Sequence, residues 1–377
     1  MINAVGNITG IVNASQVVNG ELNKSIEYVN PVTQEKSIEP TKEVQVVEPD
    51  KGYTGLSKVT VEAISDRYDD INNFIDSKII GGSGNLGKGN WTASVKKLPT
   101  MEFDGTNASY MFSGFQGVDI DLSKINTANA TNMSYMFSNC SNLQSLDLDN
   151  LTTTKVQNMS YMFYDTSIAG ELKFDNFNTS NVTNTSNMFS YFEYPFVLDI
   201  SSFDTAKISN LYGMFSNIEV SKIILPRFEY LGVSFQSLFY GNGKLEEVEC
   251  ATNDLGSPNS IYSLCNYNST IKTIPKIDGS NIIDTRYAFQ YCTNLVNVGG
   301  FNDLGKAYDT SKSANLEEYG LHFGWSQLSR ESMLNIINGV YDIKSKGVQP
   351  QRLNLYVGSK LTAEEIAIAT NKGWSVN

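Results

Sequence analysis

A Met-Phe pair recurs through the middle of the chain, at Met111-Phe112, Met136-Phe137, Met162-Phe163, Met188-Phe189 and Met214-Phe215. Altered copies follow at Leu238-Phe239, Leu264-Cys265 and Ala288-Phe289, and the successive spacings are 25, 26, 26, 26, 24, 26 and 24 residues. A fixed period of this length marks a repeat architecture, in which one small unit cannot bury its apolar face alone and does so against its neighbours. Ten residues after each anchor an aliphatic side chain returns, at Leu146, Leu172, Leu198, Ile224, Val248, Ile274 and Val298. In the first unit Ile120 and Leu122 take that role.

Around the aliphatic positions the pattern alternates, as in Leu146-Asp147-Leu148 and Leu172-Lys173-Phe174, which predicts short half-buried strands. Met133 stands three and four residues before Met136 and Phe137, a spacing that predicts one face of a short helix or 3₁₀ turn. An Asn column at 132, 158, 184 and 210 is expected to form a hydrogen-bonded ladder in the turns. The expected fold is thus a repeat solenoid of about eight turns, mixed β with parallel strands and short helices. Cys140 and Cys292 fall in one slot, four residues after the anchor, and read as core fillers.

The stretch Thr131-Asn132-Met133-Ser134-Tyr135-Met136-Phe137-Ser138-Asn139-Cys140-Ser141-Asn142-Leu143 resembles the BspA-type leucine-rich repeats, and the likeness extends over about residues 105–300. It is most specific in the first five units. The resemblance implies a leucine-rich-repeat-like solenoid in an adhesion or display role, as in bacterial surface, mycoplasma and phage-encoded proteins. The tail is similar to the end of such proteins. Residues 329–337 have helical apolar spacing, 353–358 read as a last strand, and 361–374 read as an amphipathic helix stopped by Gly373. Thr362 and Glu365 have the spacing of a capping box at that helix start. Residues 305–377 are therefore expected to be an α/β C-terminal cap that closes the solenoid of residues 91–304.

Before the repeats the composition changes. Residues 1–36 read as an assembly-dependent arm, and 37–80 as a small β-rich module with strands near 37–39, 43–48 and 57–64 and a stem over 69–80. The segment Ser37-Ile38-Glu39-Pro40 through Val59-Thr60-Val61-Glu62-Ala63-Ile64 resembles a module of tailed-phage structural proteins, mostly of tails, baseplates and appendages. So small a module holds little core, so other virion proteins and sister copies in a homo-oligomer are its expected partners. Residues 81–90 form a Gly-rich linker. Its Gly82, Gly84 and Gly87 match a phosphate-cradle spacing, but no strand leads in and no helix follows.

Composition narrows function by exclusion. The net charge of −12 opposes nucleic-acid binding, which needs basic groups to neutralise phosphates, and equally opposes docking on an anionic membrane. No run of 18 apolar residues offers a membrane span, and no signal peptide is read at the N-terminus. His322 is the single histidine, and the four cysteines at 140, 250, 265 and 292 form no CxxC pair. No metal, no cofactor and no catalytic residue are therefore expected, and the chain reads as a non-enzyme. An appendage-borne glycan-degrading enzyme using Asp147/Asp149 or Glu247/Glu249 is the weaker alternative. The expected function is a bacteriophage virion protein made in the host cytoplasm. As a tail, baseplate or head appendage it would carry the repeats for attachment to a host surface glycan or protein. A bacterial cell-surface adhesin with the same repeats is the alternative. The expected binding surface is the outward strand face: Ser145, Asp147, Asp149, Glu171, Lys173, Asp175, Asp199 and Ser201, then an apolar step at Ile223 and Leu225. A packing swap with Ile224 outward is the other reading of that step.

Overall fold

Eight positions open the repeats in this computed structural model: Asn107, Asn132, Asn158, Asn184, Asn210, Ser234, Ser260 and Asp284. In each, the side-chain oxygen accepts the backbone N–H two residues on, at 3.0–3.2 Å. Asn, Asp and Ser favour such local turns because their short side chains mimic a backbone acceptor. The Asn column therefore serves its own turns, and the rungs between successive repeats are bonds of the backbone. One residue further, at Tyr110, Tyr135, Tyr161, Asn187, Gly213, Ser237, Ser263 and Tyr287, the backbone is left-handed. The same holds four residues later, from Gly114 and Asn139 to Tyr267 and Tyr291.

The structure describes residues 43–47, 56–62, 100–103, 106–115, 117–123, 125–311 and 320–377. The chain divides into two compact units, residues 1–178 and 179–377. Within the first, the N–H groups of Ala108, Tyr110, Phe112 and Gly114 donate to the carbonyls of Asn132, Ser134, Met136 and Ser138 at 2.7–2.9 Å. The alternate residues Met111 and Ser113 close turns onto Ala108 and Tyr110 at 3.4 and 3.1 Å. This corrects the predicted helical side. Every second donor is taken by the next repeat, and a left-handed residue interrupts each run, so no helix forms in these segments.

Met and Phe anchors from both units are buried. Phe112, Phe137 and Phe163 stack at 5.6 and 5.5 Å in the first unit, and Phe189, Phe215 and Phe239 at 5.8 and 5.9 Å in the second. Such pairs add about 0.5–1.5 kcal/mol each beyond the area they bury. In four repeats the buried slot four residues after the anchor satisfies a carbonyl of the preceding repeat. Cys140 Sγ donates to Phe112 O at 3.2 Å, Thr166 Oγ1 to Phe137 O at 2.6 Å, Asn242 Nδ2 to Phe215 O at 3.0 Å, and Cys292 Sγ to Cys265 O at 3.0 Å. Burial pushes the Cys140 and Cys292 thiols up to about 12. All four cysteines are free.

The second unit carries a five-stranded parallel sheet in the order β4 (Leu198–Asp199), β5 (Lys222–Leu225), β6 (Glu247–Cys250), β7 (Thr273–Ile274) and β9 (Asn297–Val298). β8 (Ile277–Asp278) pairs with β10 (Phe301–Asn302), also in parallel. In the first unit the residues around Leu146 and Leu172 alternate between buried and exposed as expected, yet form no strand. Asp147 there accepts the Asp149 N–H at 2.9 Å and Leu151 N–H donates to Leu148 O at 2.9 Å, which turns the backbone. β5, with two adjacent isoleucines, has no such competitor and extends to four residues.

Two antiparallel strands, β1 (Glu43–Val47) and β2 (Leu56–Glu62), match expectation closely. Their third partner is β3 (Thr100–Phe103), antiparallel to β2. That sheet thus draws in residues beyond the Gly-rich segment, across the boundary drawn at residue 91. The strand expected at 37–39, the stem at 69–80 and the linker at 81–90 lie outside the described residues. At the far end, β11 (Leu321–His322), β12 (Gln351–Asn354) and β13 (Trp374–Val376) form a parallel sheet. It is flanked by α1 (Arg330–Asn338) and α2 (Ala363–Thr370). Ser329 caps α1, and Thr362 and Glu365 form the capping box of α2, as the sequence predicts. Phe323 stacks on Phe289 at 4.6 Å, which carries the aromatic column into this region.

Candidate binding surface

The eight polar positions expected to face outward do so. In the first unit Ser145, Asp147, Asp149, Glu171, Lys173 and Asp175 are exposed, and in the second Asp199 and Ser201 are. Short-range partners organise them. Asp199 Oδ1 accepts the Ser201 N–H at 2.9 Å, Asn176 Nδ2 donates to Asp149 at 2.9 Å, and the Ser145 hydroxyl donates to Asp119 at 3.3 Å. The Glu171–Lys173 pair, 3.4 Å apart and open to solvent, contributes under about 1 kcal/mol.

Ile223 and Leu225 are the exception. Both are fully buried, and Ile224 is the residue that turns outward. Ile223 pairs with Leu198 and with Val248, so it carries the buried column. From Met214 to Ile223 is nine residues, one fewer than from Met188 to Leu198, and the shorter turn moves the register by one. A one-residue slip exchanges the two faces of a strand. The apolar step on the outward face is real but belongs to Ile224, beside Asp199 and Glu249.

Ile224 lines a cleft of about 730 Å³ with Glu247, Glu249, Asn253, Asn297, Glu331 and Asn335. α1 forms one wall because Met333, Ile336 and Ile337 are buried beneath it. Ser332 ties it down, donating from Oγ to Val296 O at 3.0 Å and accepting the Val298 N–H at 2.9 Å. Lys222 bridges the two strand glutamates, 3.4 Å from Glu247 and 2.6 Å from Glu249. Its hydrogen bond holds the Glu249 carboxyl below the usual range. That direction suits a fixed anionic partner and opposes a general acid, which needs a raised value.

A second feature lay unread in the sequence. Tyr110, Tyr135 and Tyr161 stack at 4.5 Å with rings 4° from parallel, and all three are half-buried. Burial, then the neighbouring phenols, push Tyr135 up to about 12. The signal was available, since a Tyr directly precedes Met-Phe in each of the first three repeats.

The model of the family described as Mycoplasma protein of unknown function, DUF285, matches residues 94–191 and, overlapping them, 166–223. The matched segments carry the five complete Met-Phe anchors. The match covers about a third of the chain. No curated protein and no solved structure matches the chain. Among the described residues, no helix is long and apolar enough to cross a membrane, and no group of three or more His, Cys, Asp or Glu side chains is placed to hold a metal ion.

Proposed function

We propose that the repeats stack as a solenoid whose outward face binds a partner on another surface, and that the chain is a non-enzymatic attachment protein. The observation that carries this reading is the outward face itself. In both units buried columns alternate with exposed polar positions at the repeat period, and in the second unit that face leads into the cleft around Ile224. Solenoids use continuous faces of this kind for binding.

The carrier of this surface is a bacteriophage particle in the reading we favour. The likeness of residues 37–64 to tailed-phage structural modules supports an N-terminal anchor among other virion proteins, in a homo-oligomeric appendage. A second reading, a bacterial cell-surface adhesin, is favoured by the match to the Mycoplasma family. Mass spectrometry and antibody labelling of purified particles test the carrier. Recovery of the chain with intact phage supports the first reading, whereas recovery only in the envelope fraction of uninfected cells overturns it in favour of the second.

A further inference from the structure

On the side of the second unit formed by the turns, consecutive rungs place large aromatic side chains in solvent. Tyr267 and Tyr291 stack at 4.7 Å and are 53% and 39% exposed. Trp325 follows on the next rung and is 73% exposed. It stands two residues after Phe323, as Tyr291 stands two after Phe289, and those two phenylalanines stack at 4.6 Å. Gln327 continues that rung, donating from its backbone to Leu295 O at 2.9 Å and from its amide to Thr293 O at 3.2 Å. Tyr356, 58% exposed, comes next, its ring edge-on to His322 at 5.9 Å.

Packing accounts for these rings only in part. Tyr267, Tyr291, Trp325 and Tyr356 all have left-handed backbone, with φ of 61°, 61°, 74° and 54°. Bulky side chains rarely adopt that conformation. In the corresponding slots of other repeats the chain uses Gly114, Asn139, Asp165, Asn217 and Gly241, residue types that suit it, and a tyrosine once more, Tyr191. Here strained positions carry aromatics that leave between 39% and 73% of their surface in solvent. Strain kept for so partial a packing return points to function.

The neighbouring chemistry identifies the ligand class. Residues 262–270, 287–294 and 323–329 consist of Tyr, Trp, Asn, Gln, Ser, Thr, Cys, Gly and apolar residues, with no charged residue and no histidine; the Lys360 ammonium nearby is taken by Leu328 O at 2.6 Å. Ser269, Thr293, Asn294 and Gln327 in the same segments are exposed. Exposed aromatic faces for apolar C–H surfaces, with uncharged donors and acceptors for hydroxyls, are the complement of a neutral sugar chain. A nucleic acid or an anionic lipid would require cations that these segments lack. We infer that the stripe Tyr267–Tyr291–Trp325–Tyr356 is a binding site for a neutral glycan, lying across successive rungs spaced about 4.8 Å apart. The inference rests on the attachment reading above and adds to its strand face a second site with a ligand class.

The test uses the full chain and calorimetry against neutral oligomers of hexose and N-acetylhexosamine and neutral host-envelope polysaccharide. Binding to at least one is expected. Tyr291→Asn and Trp325→Asn place in these slots a residue that the repeat itself uses there. Each should weaken binding by about tenfold through the lost ring contact, with the melting temperature unchanged or raised. Lys207→Ala, at an exposed position outside the stripe and the strand face, should leave glycan affinity unchanged. Absence of binding to every glycan, or equal binding by the Asn variants, overturns the inference. If those variants also leave attachment of the whole chain to host cells intact, the attachment reading stands and only the glycan site falls.

Discussion

Phe137→Ala probes the aromatic column where it is best defined. The side chain is fully buried, with Phe112 on one face at 5.6 Å and Phe163 on the other at 5.5 Å. Truncating a buried Phe costs about 3–5 kcal/mol, because transfer energy is lost and a cavity remains. Losing two stacked pairs, each worth about 0.5–1.5 kcal/mol, places the expected loss towards the top of that range. The backbone bonds from Phe137 N–H to Met162 O at 2.9 Å and from Thr166 to Phe137 O at 2.6 Å do not depend on the ring. The damage should therefore stay local to the repeats around residue 137 in hydrogen exchange. Asp147→Ala supplies the contrast. Its carboxylate is exposed and accepts one N–H at 2.9 Å, so its removal should cost under about 1 kcal/mol. Denaturant melts of both variants decide the matter. Equal and small losses would refute the column and the register drawn from it.

Three other perturbations have expected outcomes. Ile223→Asp should prevent proper folding of the second unit, since it buries a charge at a cost of several kcal/mol, while Ile224→Asp at the half-exposed neighbour should leave the melt nearly unchanged; circular dichroism of the pair checks the one-residue slip. Tyr135 is raised to about 12 in the fold, so its contribution is complete below the ordinary phenol value near 10 and is lost as pH rises towards 12; phenolate absorbance of the protein against Tyr135→Phe should lose one late-titrating group. A thiol reagent should label Cys250, the half-exposed cysteine, in the native protein, and all four cysteines after denaturation; native labelling of Cys140 or Cys292 would contradict their burial.

The buried columns were legible because they follow chain period, and burial is what a period of large apolar residues encodes. Phe112, Phe137, Phe163 and Leu198 sit where spacing placed them. The turns were less legible. Met133 and Met136 have helical spacing, yet their backbone donors alternate between the next repeat and local turns, a division that depends on neighbours distant in sequence. The same limit produced the exchange of Ile223 and Ile224, since three consecutive aliphatics carry no alternation to fix which faces inward. The aspartates at 147 and 149 were read as a solvated strand face, and they are exposed. Asp147 also accepts the Asp149 N–H, local hydrogen bonding that hydropathy does not record. The cleft was invisible for another reason: its second wall is α1, more than 80 residues after β5 in the chain.

Attachment itself is the central claim, and competition measures it most directly. Purified full-length chain, added in increasing amounts to host cells before labelled particles, should reduce particle attachment in proportion to the chain bound to the cells. A variant altered at the outward face, Asp199→Lys with Ile224→Asp, should melt as the wild type does and compete less. Saturating amounts of folded wild-type chain that neither bind the cells nor reduce attachment would contradict the account.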